Sequence, residues 1–160
     1  MKILDSALFA ELSAQAKETP RLRKNYNLHS SYEEPCQRLL NAMEPGSYIR
    51  PHRHLAVPKP ECFVGLRGRM ALVLFDDAGT VQSLHPFGPH EKNIGADIEP
   101  GTWHTVVCLE AGSVFFETKP GPYRSIDSSD LAPWAPAEGS PEVECYLGDL
   151  VARLLALGKD

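Results

Sequence analysis

The sequence predicts an all-β sandwich or small barrel with a short helix at each end. Three observations lead there. Short apolar stretches recur between turn signals such as Glu44-Pro45-Gly46, Asp76-Asp77-Ala78-Gly79, Pro100-Gly101 and Glu110-Ala111-Gly112, the punctuation of a β-rich chain. Fourteen prolines and twelve glycines supply those turns. Helical periodicity shows only near the two ends.

Each element follows in order. Leu4, Leu8 and Leu12 recur every four residues and Pro20 stops the pattern, so residues 5–18 read as a helix. RLRKNYNLH is a basic stretch leading into an alternating one, its Arg21, Arg23 and Lys24 read as a solvated face. About eight strand signals follow: CQRLLNAM, SYIRPHRH, ECFVGL, RMALVLF, TVQSL, GADIE, WHTVVCL and SVFFETK. ECFVGL and RMALVLF flank Arg67-Gly68, a hairpin signal. GPYRSIDSSDLAPWAPAEGSP is rich in Pro, Ser and Gly and reads as a tail wrapping the surface. Residues 142–157 read as a helix, with Val143, Leu147, Leu150, Val151 and Leu154 in one stripe, Pro141 at its start and Gly158 at its stop. That stripe must be buried against the barrel or a second copy. The expectation is one domain over 1–160, with a barrel core of roughly 25–124 and a tail and helix over 125–160.

Composition narrows the function. The net charge of −5 argues against a general nucleic-acid binder. No apolar run approaches membrane-spanning length. Asp5, Glu11 and Glu18 interrupt any signal-peptide core. Cys36, Cys62, Cys108 and Cys145 form no C-x-x-C pair, which fits reduced thiols and a cytoplasmic location.

The chemistry lies in PHRHLAVPKPE, residues 51–61. In a strand, residues i and i+2 share a face, so His52 and His54 point together, with Tyr48 and Arg50 on the same side. Glu61 lies at odd separation from His54, but Pro58-Lys59-Pro60 breaks the strand. Glu61 then opens the next strand, free to face the same interior. His104 follows the Pro100-Gly101 turn. If it faces inward, so do Val106 and Cys108. Three imidazoles and a carboxylate suit one divalent ion per chain, and Zn, Fe, Mn, Ni and Co all fit. Arg50, aimed into a barrel, needs an anionic partner, either Glu117 or a substrate carboxylate or phosphate. Tyr48, Phe63, His29, Cys108 and Glu117 complete the substrate-binding or catalytic candidates. His85 and His90 read as solvated.

Two motifs resemble those of the cupin superfamily. Gly46, His52, His54, Glu61 and Gly68 stand in the first, and Gly95, Pro100, Gly101 and His104 in the second. Beyond them, NLHSSYEEPCQRLLNAMEPGSYIRPHRH, GTWHTVV, FFETKPGPY and APWAPAEG, over roughly residues 20–140, resemble the WbuC family of cupin-fold metalloproteins. The resemblance implies a double-stranded β-helix (jelly-roll) barrel, a bacterial source near surface-polysaccharide (O-antigen) genes, and a loosely held homodimer. Two functions remain open. One is a metal-dependent enzyme, an isomerase, epimerase or Fe(II) oxygenase, on a small anionic metabolite such as a sugar or sugar nucleotide. The other is a non-catalytic, metal-dependent sugar binder or sensor.

Overall fold

The computed structural model describes residues 1–157. Helix α1 (Ser6–Lys17) starts at Asp5, whose carboxylate accepts the Leu8 N–H. Eight strands follow: β1 (Arg23–Asn27), β2 (Cys36–Met43), β3 (Glu61–Arg67), β4 (Met70–Phe75), β5 (Val81–Phe87), β6 (Gly95–Ile98), β7 (Trp103–Cys108) and β8 (Ser113–Pro120). A 3₁₀ turn (Ser128–Asp130) and helix α2 (Val143–Ala156) complete the chain. Pro141 precedes the first helical residue by two positions. The expected stop at Gly158 lies outside the described residues.

All strand pairs are antiparallel, in a five-stranded sheet of order β1-β2-β8-β3-β6 and a three-stranded sheet of order β5-β4-β7. The two sheets form a jelly-roll barrel closed by short helices at both ends of the chain. Alternation assigns every inner and outer face. On β4 and β7, Met70, Leu72, Val106 and Cys108 point inward, while Ala71, Val73, Trp103 and Val107 point outward. Helix α2 covers that outer face with Leu147, Leu150 and Leu154, so the C-terminal stripe is buried against the barrel. Helix α1 covers the other sheet, packing Leu12 and Ala16 on Leu40, Ala42 and Val114. Each buried leucine contributes on the order of 2 kcal/mol.

Three expectations are corrected here. The strands flanking Arg67-Gly68 form no hairpin: β3 pairs with β8 and β6, and β4 pairs with β5 and β7. Gly68 has φ +72°, and a Cβ there would collide with Ser113. The turn therefore carries the chain from one sheet to the other. SYIRPHRH is not a ladder strand, since within it only His52 makes isolated bridges, to His104 and Leu131. The tail does not simply wrap the surface, because Asp130, Ala132 and Ala135 are buried. Among the described residues no helix is long and apolar enough to cross a membrane.

Candidate metal centre and its cavity

The barrel interior has two halves. An apolar plug that includes Met43, Met70, Phe87, Val106 and Phe115 fills one end. A cavity of about 860 Å³ opens at the other. His52, His54, Glu61 and His104 all line it. Glu61 precedes the plug residue Phe63 by two positions on β3, and His104 precedes Val106 by two on β7. The same alternation that buries the plug therefore aims both polar side chains into the cavity.

His52 and His54 come from an irregular segment clamped on both sides. His52 N–H donates to His104 O (3.0 Å) and His104 N–H returns the bond to His52 O (2.9 Å). On the opposite side the tail acts as a substitute strand: Arg53 N–H donates to Asp130 O and Ala132 N–H to Pro51 O, both at 2.9 Å. The buried Asp130 carboxylate accepts the N–H groups of Leu55 (3.0 Å) and Ala56 (2.9 Å). Gly101, with φ +82°, donates its N–H to His54 O (3.1 Å), tying the Pro100-Gly101 turn to the histidine segment.

The ring tautomers follow from their partners. His52 Nδ1 faces Arg50 O (3.1 Å) and His104 Nδ1 faces Thr102 O (2.8 Å). Carbonyls only accept, so each Nδ1 carries its proton and each neutral ring keeps a lone pair on Nε2. His104 Nε2 then lies 3.1 Å from Glu61 Oε2, acceptor against acceptor. His54 Nε2 lies 3.1 Å from Glu61 Oε1, in a geometry that makes no hydrogen bond, and this buried atom has no partner among the described residues. A cation between these atoms removes the conflict, either as protons on the rings or as one metal ion that satisfies all of them. Donor atoms of His52, His54 and Glu61 lie within 4.8 Å of one another. Two donors on one ion at about 2.1 Å are expected roughly 3 Å apart, so the residues present fit a divalent metal. Burial first, and the His104 ring second, push the His52 pKa down to about 3, keeping that ring neutral. Burial alone would raise the Glu61 pKa. The neighbouring His104 and His54 rings, with the Lys119 charge, outweigh it and hold the carboxyl well below the usual range.

The remaining candidates divide. Phe63 lines the cavity, its ring centroid 6.3 Å from that of His104. Glu117 lines it too, accepting from Asn41 Nδ2 (2.8 Å) and pairing with Lys119 Nζ (2.7 Å) rather than with Arg50. Arg50 lines the cavity and donates Nε and Nη2 to Ala132 O (3.0 and 2.7 Å), so the expected Glu117 pairing is not formed. His29 lines the cavity as well. Tyr48 is elsewhere: because its segment is not a regular strand, the parity expectation fails. It packs under α2 and donates its hydroxyl to Pro136 O (2.8 Å). Cys108 sits in the plug, its thiol donating to backbone carbonyls and pushed up to about 11 by burial. Arg23, expected in solvent, is held inside by Tyr48 O and Glu138. His85 and His90 are exposed.

Sequence reasoning missed Lys119, Lys59 and Asp130. Lys119 Nζ bridges Glu61 Oε1 (2.6 Å) and Glu117 Oε1 (2.7 Å). Its position two residues after Glu117 on β8 was the available signal. Buried Lys59 donates to Pro122 O (2.8 Å). Arg50 and Lys59 thus line the cavity held by backbone carbonyls, and among the described residues neither meets a carboxylate.

Comparison with known proteins places the fold. A family model described as a domain of unknown function (DUF6016) matches residues 4–86. No curated protein matches the chain. KdgF from Halomonas sp. superposes with a TM-score of 0.51 at 15% identity, covering 67% of this chain and 85% of that one. A cupin 2 domain-containing protein from Halorhodospira halophila gives 0.50 at 17%, covering 78% and 75%. A recombinant oxalate oxidase in complex with glycolate gives 0.51 at 13%, covering 67% and 56%. The barrel is that of the cupins.

Proposed function

Because the chain belongs to the DUF6016 family and folds as a cupin barrel, we propose that it is a metal-dependent enzyme acting on a small anionic metabolite. The specific reading is a sugar or sugar nucleotide of bacterial surface-polysaccharide synthesis, supported by the WbuC resemblance over residues 20–140. The observation that carries the enzyme reading is the convergence of donor atoms of His52, His54 and Glu61, with His104 Nε2 3.1 Å from Glu61 Oε2, at the floor of a large cavity. Two cations without carboxylate partners, Arg50 and Lys59, supply the sign of the ligand. The same reading makes the protein a loosely held cytoplasmic homodimer, where Cys36, Cys62, Cys108 and Cys145 stay reduced.

His52, His54, His104 and Glu61 would hold one divalent ion per chain. Bound there, the ion supplies Lewis acidity toward a carbonyl or hydroxyl. Lys119 holds a proton at Nζ between Glu61 and Glu117. Burial would lower its pKa, but Glu117 and then Glu61 raise it above the ordinary lysine value. Glu117 is fixed by Asn41 and Lys119 at the same wall. Such a fixed ion pair beside the donor set favours an enzyme over a passive binder. Phe63 closes the floor with an apolar ring and keeps water from the plug side.

The test is elemental analysis of protein purified without added metal, followed by a binding screen of sugar nucleotides before and after chelation. About one ion per chain, with binding lost on chelation, is the expected result. Metal-free protein that binds the same ligands would overturn the reading.

A further inference from the structure

His29 is buried at 6% exposure, lines the cavity, and has a ring nitrogen, Nε2, with no hydrogen-bond partner among the described residues. The tautomer is fixed by the adjacent strand. His29 Nδ1 lies between Arg38 O (2.9 Å) and the Arg38 N–H (3.0 Å); that oxygen already accepts the Leu28 N–H (2.8 Å), whereas the N–H can only donate, unlike the carbonyls that face His52 and His104. Nδ1 therefore accepts, and the proton sits on Nε2 as an unused donor. A buried donor left without a partner is destabilising unless something fills the place.

Register gives its position. The Leu28–Arg38 bond closes the β1–β2 pairing, and His29 follows it just past the end of β1, next to Arg38 of β2. Gln37 pairs with Lys119, and Lys119 touches Glu61. His29, just past the end of β1, and Glu61, at the start of β3, are thus separated by the width of β1, β2, β8 and β3. Three strand spacings of about 4.8 Å put them about 14 Å apart along the sheet. Two tyrosines frame the His29 end: Tyr123 N–H donates to Tyr32 O, and the Tyr32 and His29 ring centroids are 6.0 Å apart.

We propose that His29 is the head of a second subsite, which takes a terminal oxyanion of an elongated ligand whose other end lies at the His52–His54–Glu61–His104 set. Nε2–H supplies the directed hydrogen bond. The ligand class is an extended polyol acid, with hydroxyl or carboxylate oxygens at one end and a phosphate or carboxylate at the other. Short diacids reach only one end. The proposal rests on the metal reading for the near end and is independent of it at the far end.

The test uses the full chain loaded with Co(II), with 6-phosphogluconate, gluconate and inorganic phosphate as probes. Titration calorimetry should show 6-phosphogluconate binding at least about tenfold tighter than gluconate. His29→Leu should reduce that difference to within about twofold and leave gluconate affinity unchanged, and His29→Gln, which restores an N–H donor, should recover part of it. Should His29→Leu fail to fold, ¹⁵N-detected imidazole spectra of the unaltered protein decide: the His29 Nε2 resonance should move with 6-phosphogluconate and not with gluconate. Equal affinity for the two acids, binding of neither, or an unmoved His29 resonance overturns the proposal. The Co(II) absorption band separates the two readings. If it ignores both acids while His29 still responds, the metal reading fails and the subsite stands.

Discussion

The Lys119 ammonium lies 2.6 Å from Glu61 Oε1, closer than either imidazole nitrogen that faces the same carboxylate at 3.1 Å. A fixed cation therefore shares Glu61 with any metal ion. Lys119→Met is expected to tighten divalent-metal binding by about 1 kcal/mol, since it removes a like charge from the ion's neighbourhood. It should also weaken anion binding. Competition with a chelating dye measures the first effect, and a weaker metal affinity would show that Lys119 supports the carboxylate rather than competing for it.

Acidification acts in a defined direction. His52 is held down to about 3 by burial, against about 6.5 in an unfolded chain. Between those values the unfolded state binds more protons, so stability falls as pH drops through that window. Metal-free protein should lose melting temperature steadily from about pH 6.5 downward. Metal occupancy should fall through roughly pH 6 to 4, because imidazoles must be neutral to ligate. Full metal retention at about pH 4 would count against three histidine ligands.

Among the histidines the effects should separate cleanly. His52→Ala or His104→Ala removes a donor that points into the cavity and should abolish tight metal binding. His85→Ala and His90→Ala alter exposed rings and should leave metal content unchanged. Equal metal content in all four variants would refute the assignment.

Two parts of the tail should behave differently. Removing residues 142–160 uncovers the face under Leu147, Leu150 and Leu154 and should lower the melting temperature, with the metal retained. Asp130→Ala leaves the Leu55 and Ala56 N–H groups without their acceptor and frees the histidine segment. It should cost about 2–4 kcal/mol of stability and weaken metal binding as well. Unchanged metal affinity in Asp130→Ala would mean that β7 alone positions His52 and His54.

Arg50→Met should weaken anion binding by on the order of 1–3 kcal/mol, the scale of a charge-assisted hydrogen bond, with metal content nearly constant. The guanidinium is anchored on Ala132 O and not on Glu117, so loss of stability without loss of anion affinity would assign it to tail attachment.

Much of this was legible in the sequence. CQRLLNAM matches β2 residue for residue, and the inward set His104, Val106 and Cys108 follows from alternation on β7. What stayed hidden depends on register between distant segments. Nothing local in ETKPG places Lys119 beside Glu61, because that neighbourhood comes from the β3–β8 pairing. The composition of residues 121–141 signals a surface coil, yet Asp130 is buried because the irregular histidine segment leaves backbone groups that need partners. Arg67-Gly68 has the same local chemistry whether the chain folds back in one sheet or crosses to the other.

The histidine segment lies outside the ladders, so half of the donor set rides on β3 and β7 and half on a strap held by the tail. An ion gripped by both halves would act as a cross-link, tying residues 52–61 to residue 104 and closing a long stretch of chain. All four thiols are free, so no covalent staple does this. Metal supply would then govern how long the folded chain survives in the cell as well as what it can bind.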